Sequence, residues 1–485
     1  MNFLIYYYLN EEKIPNWNEI INSNNELKSA IKVLKKINDL GYEALIVGGT
    51  PRDLLLGKEI SDVDIATSAP IKELEKHFKN HDIGKNKDFN VIVIDMDGYS
   101  FEVAAYRSDV YDDYSKGVGA TKTIIAKDFK SDSARRDFGM NSLGVDADGN
   151  INDNWGGVND IKNKIVKAIG NPLDRFKEDE VRSLRGVRFA SRFDFDIDPK
   201  TIEAMKKNAP EIAKVSRERI YKELNKMAEG TGPQFARAIK ILNDTGLLQY
   251  ILPEVAKLAE MEHSSEHHPE KDESGKHTVL AHIIEALKSQ PLKDRLINLG
   301  VLLHDVGKAT THELDADGKH RYFGHAQAAE NIIEDLAKRL TIDNDTKKKL
   351  QFAAINHMKI HELLKMSNSK IAELMDNDGF EVLMKVAEAD ARARGKLFDE
   401  KEWNAIMAKI AELTEKFKDR KAIEAIKKVV NGNWVMQLKG ITKPGPEVGK
   451  IINQTVHWIL DNNINISDTD KIAEFIKGNF DKERP

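Results

Sequence analysis

Residues 44–64 read Ala44-Leu45-Ile46-Val47-Gly48-Gly49-Thr50-Pro51-Arg52-Asp53-Leu54-Leu55-Leu56-Gly57-Lys58-Glu59-Ile60-Ser61-Asp62-Val63-Asp64. Four apolar residues running into a double glycine predict a buried strand that stops at a turn. With a helix starting just after it, that turn leaves backbone N–H groups free to hold a phosphate, and Arg52 adds a charged fork. Asp62 and Asp64 stand two apart, so on a strand they share a face while Val63 and Ile65 take the other. Two unpaired carboxylates packed together repel one another, which makes a divalent cation their natural partner, and oxygen-only ligation favours Mg²⁺. An Asp-x-Asp by itself is common in solvated loops, so its context has to carry the reading.

Leu27, Ile31, Leu34 and Ile37 recur at helical spacing upstream, with Gly41 closing the helix. Downstream, strands at 90–94 and 100–104 flank Asp97-Gly98, a hairpin signal. On the second of them Glu102 could bring a third carboxylate to the Asp62/Asp64 face. Residues 30–145 therefore read as mixed α/β, and the pattern after about 175 is mostly helical. At 485 residues, 41% hydrophobic and 32% charged, the chain has room for about three to five folding units of ordinary globular composition. It has no cysteine, which excludes thiolate metal sites, disulfides and cysteine nucleophiles. A net charge of -5 marks neither a nucleic-acid binder nor an acidic tail, so local charge must decide. Residues 175–240 hold 16 lysines and arginines against 11 acids, a surface suited to phosphates. Met1–Leu9 is apolar without a basic leader and about ten residues short of a membrane span, so it is expected to be a packed strand or helix in a cytoplasmic protein.

The motif Gly-Gly-x-x-Arg-Asp-x-x-x-Gly followed by Asp-x-Asp resembles the head of the class II tRNA nucleotidyltransferase and poly(A) polymerase family. Further matches follow in the family's order: Arg135-Arg136-Asp137-Phe138 with Asn141, Asp153-Asn154-Trp155-Gly156-Gly157 with Asp160, and Arg175-Phe176-Lys177-Glu178-Asp179 with Arg182, Arg185 and Arg188. One departure is Gly139, where the family usually has Thr. The resemblance implies Mg²⁺ on Asp62 and Asp64 with Glu102 beside them, and a nucleotide held by Gly48, Gly49, Arg52, Arg135, Arg136, Asp137, Asn141, Asp179, Arg182, Arg185 and Arg188. Asp179 and Arg182, three apart on a helix, would form a pair in which carboxylate and guanidinium match the amino donor and ring-nitrogen acceptor of cytosine and adenine. Ser216-Arg217-Glu218-Arg219-Ile220 resembles the family's last head-and-neck motif, and 434–459 its C-terminal closing segment.

Between 260 and 400, His277, His304-Asp305, His325, His357 and Asp390 each adjoin a helical pattern. A lone histidine beside an apolar run is usually a satisfied core residue, but together these resemble the ligand order of HD-domain phosphohydrolases, with His304-Asp305-Val306-Gly307-Lys308 as the central motif. The resemblance implies a divalent metal (Mn²⁺, Fe²⁺, Ni²⁺, Co²⁺ or Mg²⁺), Asp305 as a bridge between two ions and Lys308 as a phosphate contact. His267-His268-Pro269-Glu270 also resembles bacterial members that carry this domain.

The expected architecture is α+β: an N-terminal extension at 1–25, a polymerase-β-like nucleotidyltransferase head with a mixed sheet at 26–145, a helical RNA-binding and base-selecting neck at 146–255, an HD domain at 256–400 and a helical tail at 401–485. The expected function is addition or repair of the tRNA 3′ CCA end from CTP and ATP, with an HD phosphohydrolase attached and neither a membrane nor an obligatory protein partner indicated. A poly(A) polymerase, an HD phosphatase with a nucleotide-binding head, and a non-enzymatic RNA chaperone stay open at this point.

Overall fold

Strand β1 (Ala44–Val47) is buried along its whole length, as its unbroken apolar run requires. Ala44 and Ile46 enter one core with Leu27, Leu34, Ile37 and Phe101. Leu45 and Val47 enter another with Ala66, Tyr106 and Phe129. In the computed structural model, which describes residues 13–81, 90–110, 122–263, 269–417 and 421–479, this strand sits within a seven-stranded sheet. The other strands are β2 (Asp64–Thr67), β3 (Asn80–His81), β4 (Val91–Met96), β5 (Tyr99–Ala105), β8 (Gly144–Val145) and β9 (Ile151–Asn152), while β6 (Arg107–Val110) and β7 (Lys122–Ile125) form a separate ribbon. The order is β3-β4-β5-β2-β1-β8-β9. β2 runs parallel to β5 and antiparallel to β1, so the sheet is mixed as expected.

The hairpin forms where its sequence places it. Asp97 and Gly98 both take positive φ, 52° and 86°, and Met96 pairs with Tyr99 across a two-residue turn. The helix Asn25–Asp39 starts at Asn24, whose side chain accepts from Leu27 N at 2.9 Å. It packs against β1, β4 and β5. Residues 1–12, the expected apolar opening, lie outside the described residues. From Ile14 and buried Trp17 onward the chain joins the core that contains β1, so the described part of the expected 1–25 extension is integral to the head. Trp17 Nε1 donates to Ala147 O at 3.2 Å.

From Pro172 the first unit is chiefly helical: Pro172–Glu178, Val181–Phe193, Pro199–Asn208, Arg217–Ala228 up to Met227, and Gly232–Asp244 from Arg237 onward. The chain divides into two compact units, Met1–Met227 with Arg237–Pro253, and Ala228–Ala236 with Glu254–Pro485. In the second, the helices Val279–Ser289, Arg295–Leu303, His325–Leu340, Asn344–His361 and Phe380–Ala393 pack against one another. Five further helices follow from Glu400 to Asn479. Among the described residues, no helix is long and apolar enough to cross a membrane.

Gly139 and Gly157 show why side chains are missing there. A Cβ on Gly157 would lie 2.1 Å from Gly139 O, and one on Gly139 would lie 2.3 Å from Asp160 Oδ2. The glycine in place of the family's Thr therefore lets Asp160 lie against the backbone. Gly157→Ala should cost about 2–3 kcal/mol, because backbone atoms cannot step aside. Gly156→Ala, with φ +75° and open space around it, should cost only about 1–2 kcal/mol. Thermal melts of the two variants check the order, and equal losses would refute the close-approach account.

Candidate active site and candidate metal centre

The acidic group is built by one glycine and two strands. Gly48 has φ +79°, and a Cβ there would stand 2.8 Å from Asp64 Oδ2, so the Asp64 carboxylate lies where only glycine leaves room. β2 begins at Asp64, which places Asp62 and Val63 just before the strand rather than on it. The alternation survives, because Val63 and Ile65 are both buried. Thr50 Oγ1 donates to Asp62 O at 2.6 Å and ties this approach to the glycine turn. Ile65 pairs with Val103 in the parallel β2/β5 ladder, which sets Glu102 beside Asp64. Burial, then Asp62, then Glu102 push Asp64 up to about 6, and Arg136 opposes them. Asp62 and Glu102 thus stand near enough to repel Asp64, although among the described residues the three do not bring their oxygens together as a ligand group; drawn closer, they would fit a divalent cation, the partner their repulsion calls for.

Beside them opens a cavity of about 560 Å³ lined by Gly48, Gly49, Asp64 and a set of arginines. Each arginine is anchored by an acid. Buried Asp132 accepts from Arg135 Nε at 3.1 Å and Arg136 Nη2 at 3.5 Å. Asp137 accepts from Arg185 Nε at 2.5 Å and Asn141 Nδ2 at 3.1 Å. Although burial works the other way, Arg185 and Asn141 hold Asp137 below the usual carboxylate range. Arg188 donates to Glu223 at 2.7 Å. Arg52 donates to both oxygens of Asp53 at 2.9 Å and to Asn141 Oδ1 at 2.6 Å. Most of its fork is thus spent inside the protein, which makes it a strut for the turn before it is a phosphate contact.

The expected Asp179–Arg182 pair does not form. Asp179 lies between the helices Pro172–Glu178 and Val181–Phe193, with extended backbone at φ −159°, so helical i,i+3 spacing does not apply. Instead Arg219 Nη2 donates to its two oxygens at 2.9 and 2.7 Å. Arg182 reaches Glu178, Arg175 O at 3.0 Å and Arg135 O at 2.8 Å. Both still line the cavity, together with Arg219, Lys222 and Lys226. Asp132, Lys222 and Lys226 escaped the sequence reading. For Asp132 a signal existed, since arginines three and four residues later belong on its side of a helix.

In the second unit, three histidines are set up alike. The Nδ1 of His304, His325 and His357 meets the carbonyl of Val301, Tyr322 and Ala354 at 2.8, 2.9 and 2.8 Å. A carbonyl only accepts, so each Nδ1 carries a proton, and in the neutral ring Nε2 then presents the lone pair. Those three Nε2 atoms lie 3.4, 3.6 and 3.8 Å from Asp305 oxygens. The buried Nε2 atoms of His304 and His325 have no hydrogen-bond partner, which fits a metal ion. Burial, then His304, push His357 down to about 3, keeping it neutral as a ligand must be. Against the pull of burial, Lys308 at 2.6 Å and His304 hold Asp305 well below the usual range.

Among the described residues the converging ligand atoms form two groups, His304 with Asp305 and His357, and His304 with His282 and Asp390; neither His277 nor His325 belongs to them, although His325 Nε2 stands 3.6 Å from Asp305. The helix starts at Val279 behind its cap Thr278, so His277 precedes it, half-buried. His282, on the buried face with Val279, Ile283 and Ala286, stands in the centre instead. It meets Glu270 at 3.0 Å and Asp390 at 3.0 Å. Burial disfavours its charge, but Asp390 and Glu270 prevail and raise it to about 9. Asp390 also accepts from His361 at 2.9 Å. His267 and His268 lie outside the described residues.

Residues 44–167 match the model of the poly A polymerase head domain, and residues 194–258 match that of the probable RNA and SrmB-binding site of polymerase A. The CCA-adding enzyme of Limosilactobacillus reuteri is 40% identical over 219 residues, 45% of this chain and 53% of the relative. That of Enterococcus faecalis is 41% identical over 212 residues, 43% and 51% of the two chains. The chain thus spans about half the length of the curated relatives it matches. The crystal structure of the Bacillus stearothermophilus CCA-adding enzyme in complex with CTP is similar at TM-score 0.66 and 23% identity, covering 93% of this chain and 97% of that one. The Thermotoga maritima CCA-adding enzyme complexed with tRNA-CCA follows at 0.56 and 16%, covering 96% of each. At these identities the likeness is one of fold. The fold is α+β, with a head of the poly A polymerase type followed by largely helical regions.

Because Asp64 is raised from 3.8 to about 6, ionising it opposes folding. The penalty is absent below about pH 4, grows between pH 4 and 6 and reaches about 3 kcal/mol above that. Asp64→Asn should therefore raise the metal-free melting temperature at pH 7 and leave it unchanged at pH 4. Mg²⁺ should stabilise the parent at pH 7, with reversal by chelator, and should not stabilise the variant. Equal Mg²⁺ shifts in both would refute the carboxylate site.

Proposed function

We propose that the chain adds or repairs the 3′-terminal CCA of tRNA from CTP and ATP without a nucleic-acid template, and that its second unit carries an HD-type metal-dependent phosphohydrolase centre. The observation that carries the first part is Asp64, packed against the Gly48-Gly49 turn within electrostatic reach of Asp62 and Glu102, at the edge of an arginine-lined cavity large enough for a nucleotide. Asp62 and Asp64 would hold the Mg²⁺, with Glu102 beside them. When bound, Mg²⁺ supplies Lewis-acid stabilisation of the triphosphate and activation of the primer 3′-hydroxyl. Arg135 and Arg136, extended by Asp132, offset phosphate charge, and the guanidinium fork suits that task better than an ammonium. Asn141 and Asp53 keep Arg52 under the glycine turn.

Base choice rests with Asp179 and Arg182 acting from separate anchors. A carboxylate accepts from the exocyclic amine that cytosine and adenine share, and a guanidinium donates to their ring nitrogen. Uracil and guanine present a carbonyl and a ring N–H there and leave both side chains mismatched. The CCA-adding enzymes among the relatives, and the CTP and tRNA complexes among the similar folds, support this substrate set.

For the second activity, His304, Asp305, His325, His357 and Asp390 would hold one or two divalent ions among Mn²⁺, Fe²⁺, Ni²⁺, Co²⁺ and Mg²⁺. His282 keeps Asp390 in place. When bound, such ions supply electrophilic activation of a phosphoester. Lys308 contacts Asp305 in this state and would reach a phosphate only by sharing that contact.

A poly(A) polymerase is the second reading, favoured by the description of the head-domain match. Product length separates the two. A tRNA lacking its CCA end, given Mg²⁺, CTP and ATP, should gain three nucleotides in fixed order, whereas long A-only tails would establish the rival. Asp62→Ala with Asp64→Ala should abolish addition and spare phosphoester hydrolysis, and His304→Ala with Asp305→Ala should do the reverse. Loss of both activities in either double variant would contradict two separate centres.

A further inference from the structure

Outside the two centres, two further histidines meet. His312 closes the short helix Lys308–Thr311 and His320 opens the strand His320–Arg321, and Nε2 of the first stands 2.8 Å from Nδ1 of the second. His312 is exposed and His320 half-buried. As a hydrogen bond, the contact holds one proton between two nitrogens, one donating and one accepting. Two ligands at right angles on one ion, with metal–imidazole bonds of about 2.1 Å, lie about 3.0 Å apart, so these nitrogens already stand at chelating distance. Imidazole favours Ni²⁺ and Co²⁺ over Mg²⁺.

The turn that presents His320 is held independently of this contact. Asp315 accepts from the backbone N–H of Asp317 at 3.0 Å and of Lys319 at 2.8 Å and from Arg321 Nε at 2.9 Å, and Leu314 pairs with His320 across the ladder. From the pair a series of rings leads inward. The Tyr322 ring lies 5.4 Å from that of His312 and 5.9 Å from that of buried His263, which lies 5.7 Å from His282. Tyr322 also has its ring 5.6 Å from Lys308 Nζ, the group that meets Asp305 at 2.6 Å, and its carbonyl fixes His325 at 2.9 Å. On this route one ring stands between a surface pair of nitrogens and the residues read as metal ligands.

We propose that His312 and His320 form an entry site, which captures a divalent transition ion at the surface and delivers it to the histidine centre. The inference rests on the metal reading of that centre and adds a second, weaker site on its approach. On binding, the shared proton moves to the other nitrogen of the imidazole that carries it, so both facing nitrogens turn lone pairs to the ion and no proton is lost. Two imidazoles alone hold an ion loosely, as handing it on to a richer ligand set requires.

The test follows Co²⁺ loading by its visible absorption and Ni²⁺ stoichiometry by equilibrium dialysis. It compares the parent, the entry variant His312→Ala with His320→Ala, and the centre variant His304→Ala with Asp305→Ala. The entry variant should lose one weak Ni²⁺ site and load Co²⁺ roughly fivefold more slowly or worse while reaching the parent's final spectrum; the centre variant should keep the weak site. Leu314→Ala, which disturbs the same hairpin without removing a ligand, should load at the parent's rate, and slowing equal to the entry variant's would overturn the inference. So would an entry variant that loads within twofold of the parent's rate or keeps its Ni²⁺ stoichiometry, and the histidine centre would then still stand. If the parent binds neither ion, both readings fall together. Melting curves show that the variants are folded, and should the double entry variant not fold, His312→Ala, which trims an exposed side chain, decides by the same rate.

Discussion

Like charges gathered around one cavity are what the rest of the first unit is arranged to tolerate. Six arginines face a space of about 560 Å³ together with Arg219 and two lysines, and left to themselves they would repel or fold onto the nearest acid. Each of the six is instead held from behind, with Asp132 serving two of them. Asp53, Asp132, Asp137, Glu178 and Glu223 come from five different stretches of chain, so assembling the cavity and assembling the fold are one event. Three of these acids, Asp132, Asp137 and Glu223, are buried, and the guanidinium each one meets offsets the cost of burying it. Removing an anchor leaves a buried cation unpaired; removing an arginine leaves a buried anion.

The second unit solves a different problem, aiming histidines at one carboxylate inside a helical core. Three imidazoles give their protons to the carbonyl of the preceding turn, which fixes the tautomer without any acid and leaves the other nitrogen bare toward Asp305. His282 differs because both of its nitrogens meet carboxylates. The same residue type therefore turns an Nε2 toward Asp305 in three places and is a positive strut in a fourth.

What could be read from the sequence was local. The apolar run 44–47, the double glycine, the hairpin around Asp97-Gly98 and the helix beginning near 27 depend on neighbours within a few residues, and the structure places them where the pattern does; of the acid pair only Asp64 is on the strand, with Asp62 just before it. What could not be read depended on distance or on where a helix begins. Arg219 lies 40 residues from Asp179, and nothing in the spacing of either links them. The Asp179–Arg182 expectation assumed a helix that starts two residues later, at Val181. His277 opens the right segment but precedes the cap Thr278, so the buried face goes to His282; the one-turn rhythm of Val279, His282, Ile283 and Ala286 carried that information unread.

The two units are not consecutive in the chain. The first reclaims 237–253 after the second has already taken 228–236. A ribosome delivering this protein cannot finish the head and neck at residue 227; it must continue to 253 while nine residues wait for partners that emerge only afterwards. Vectorial synthesis therefore leaves the first unit unfinished until residue 253 has emerged, and a simple cut at 227 would strand its residues 237–253 on the piece that holds the whole of the second unit.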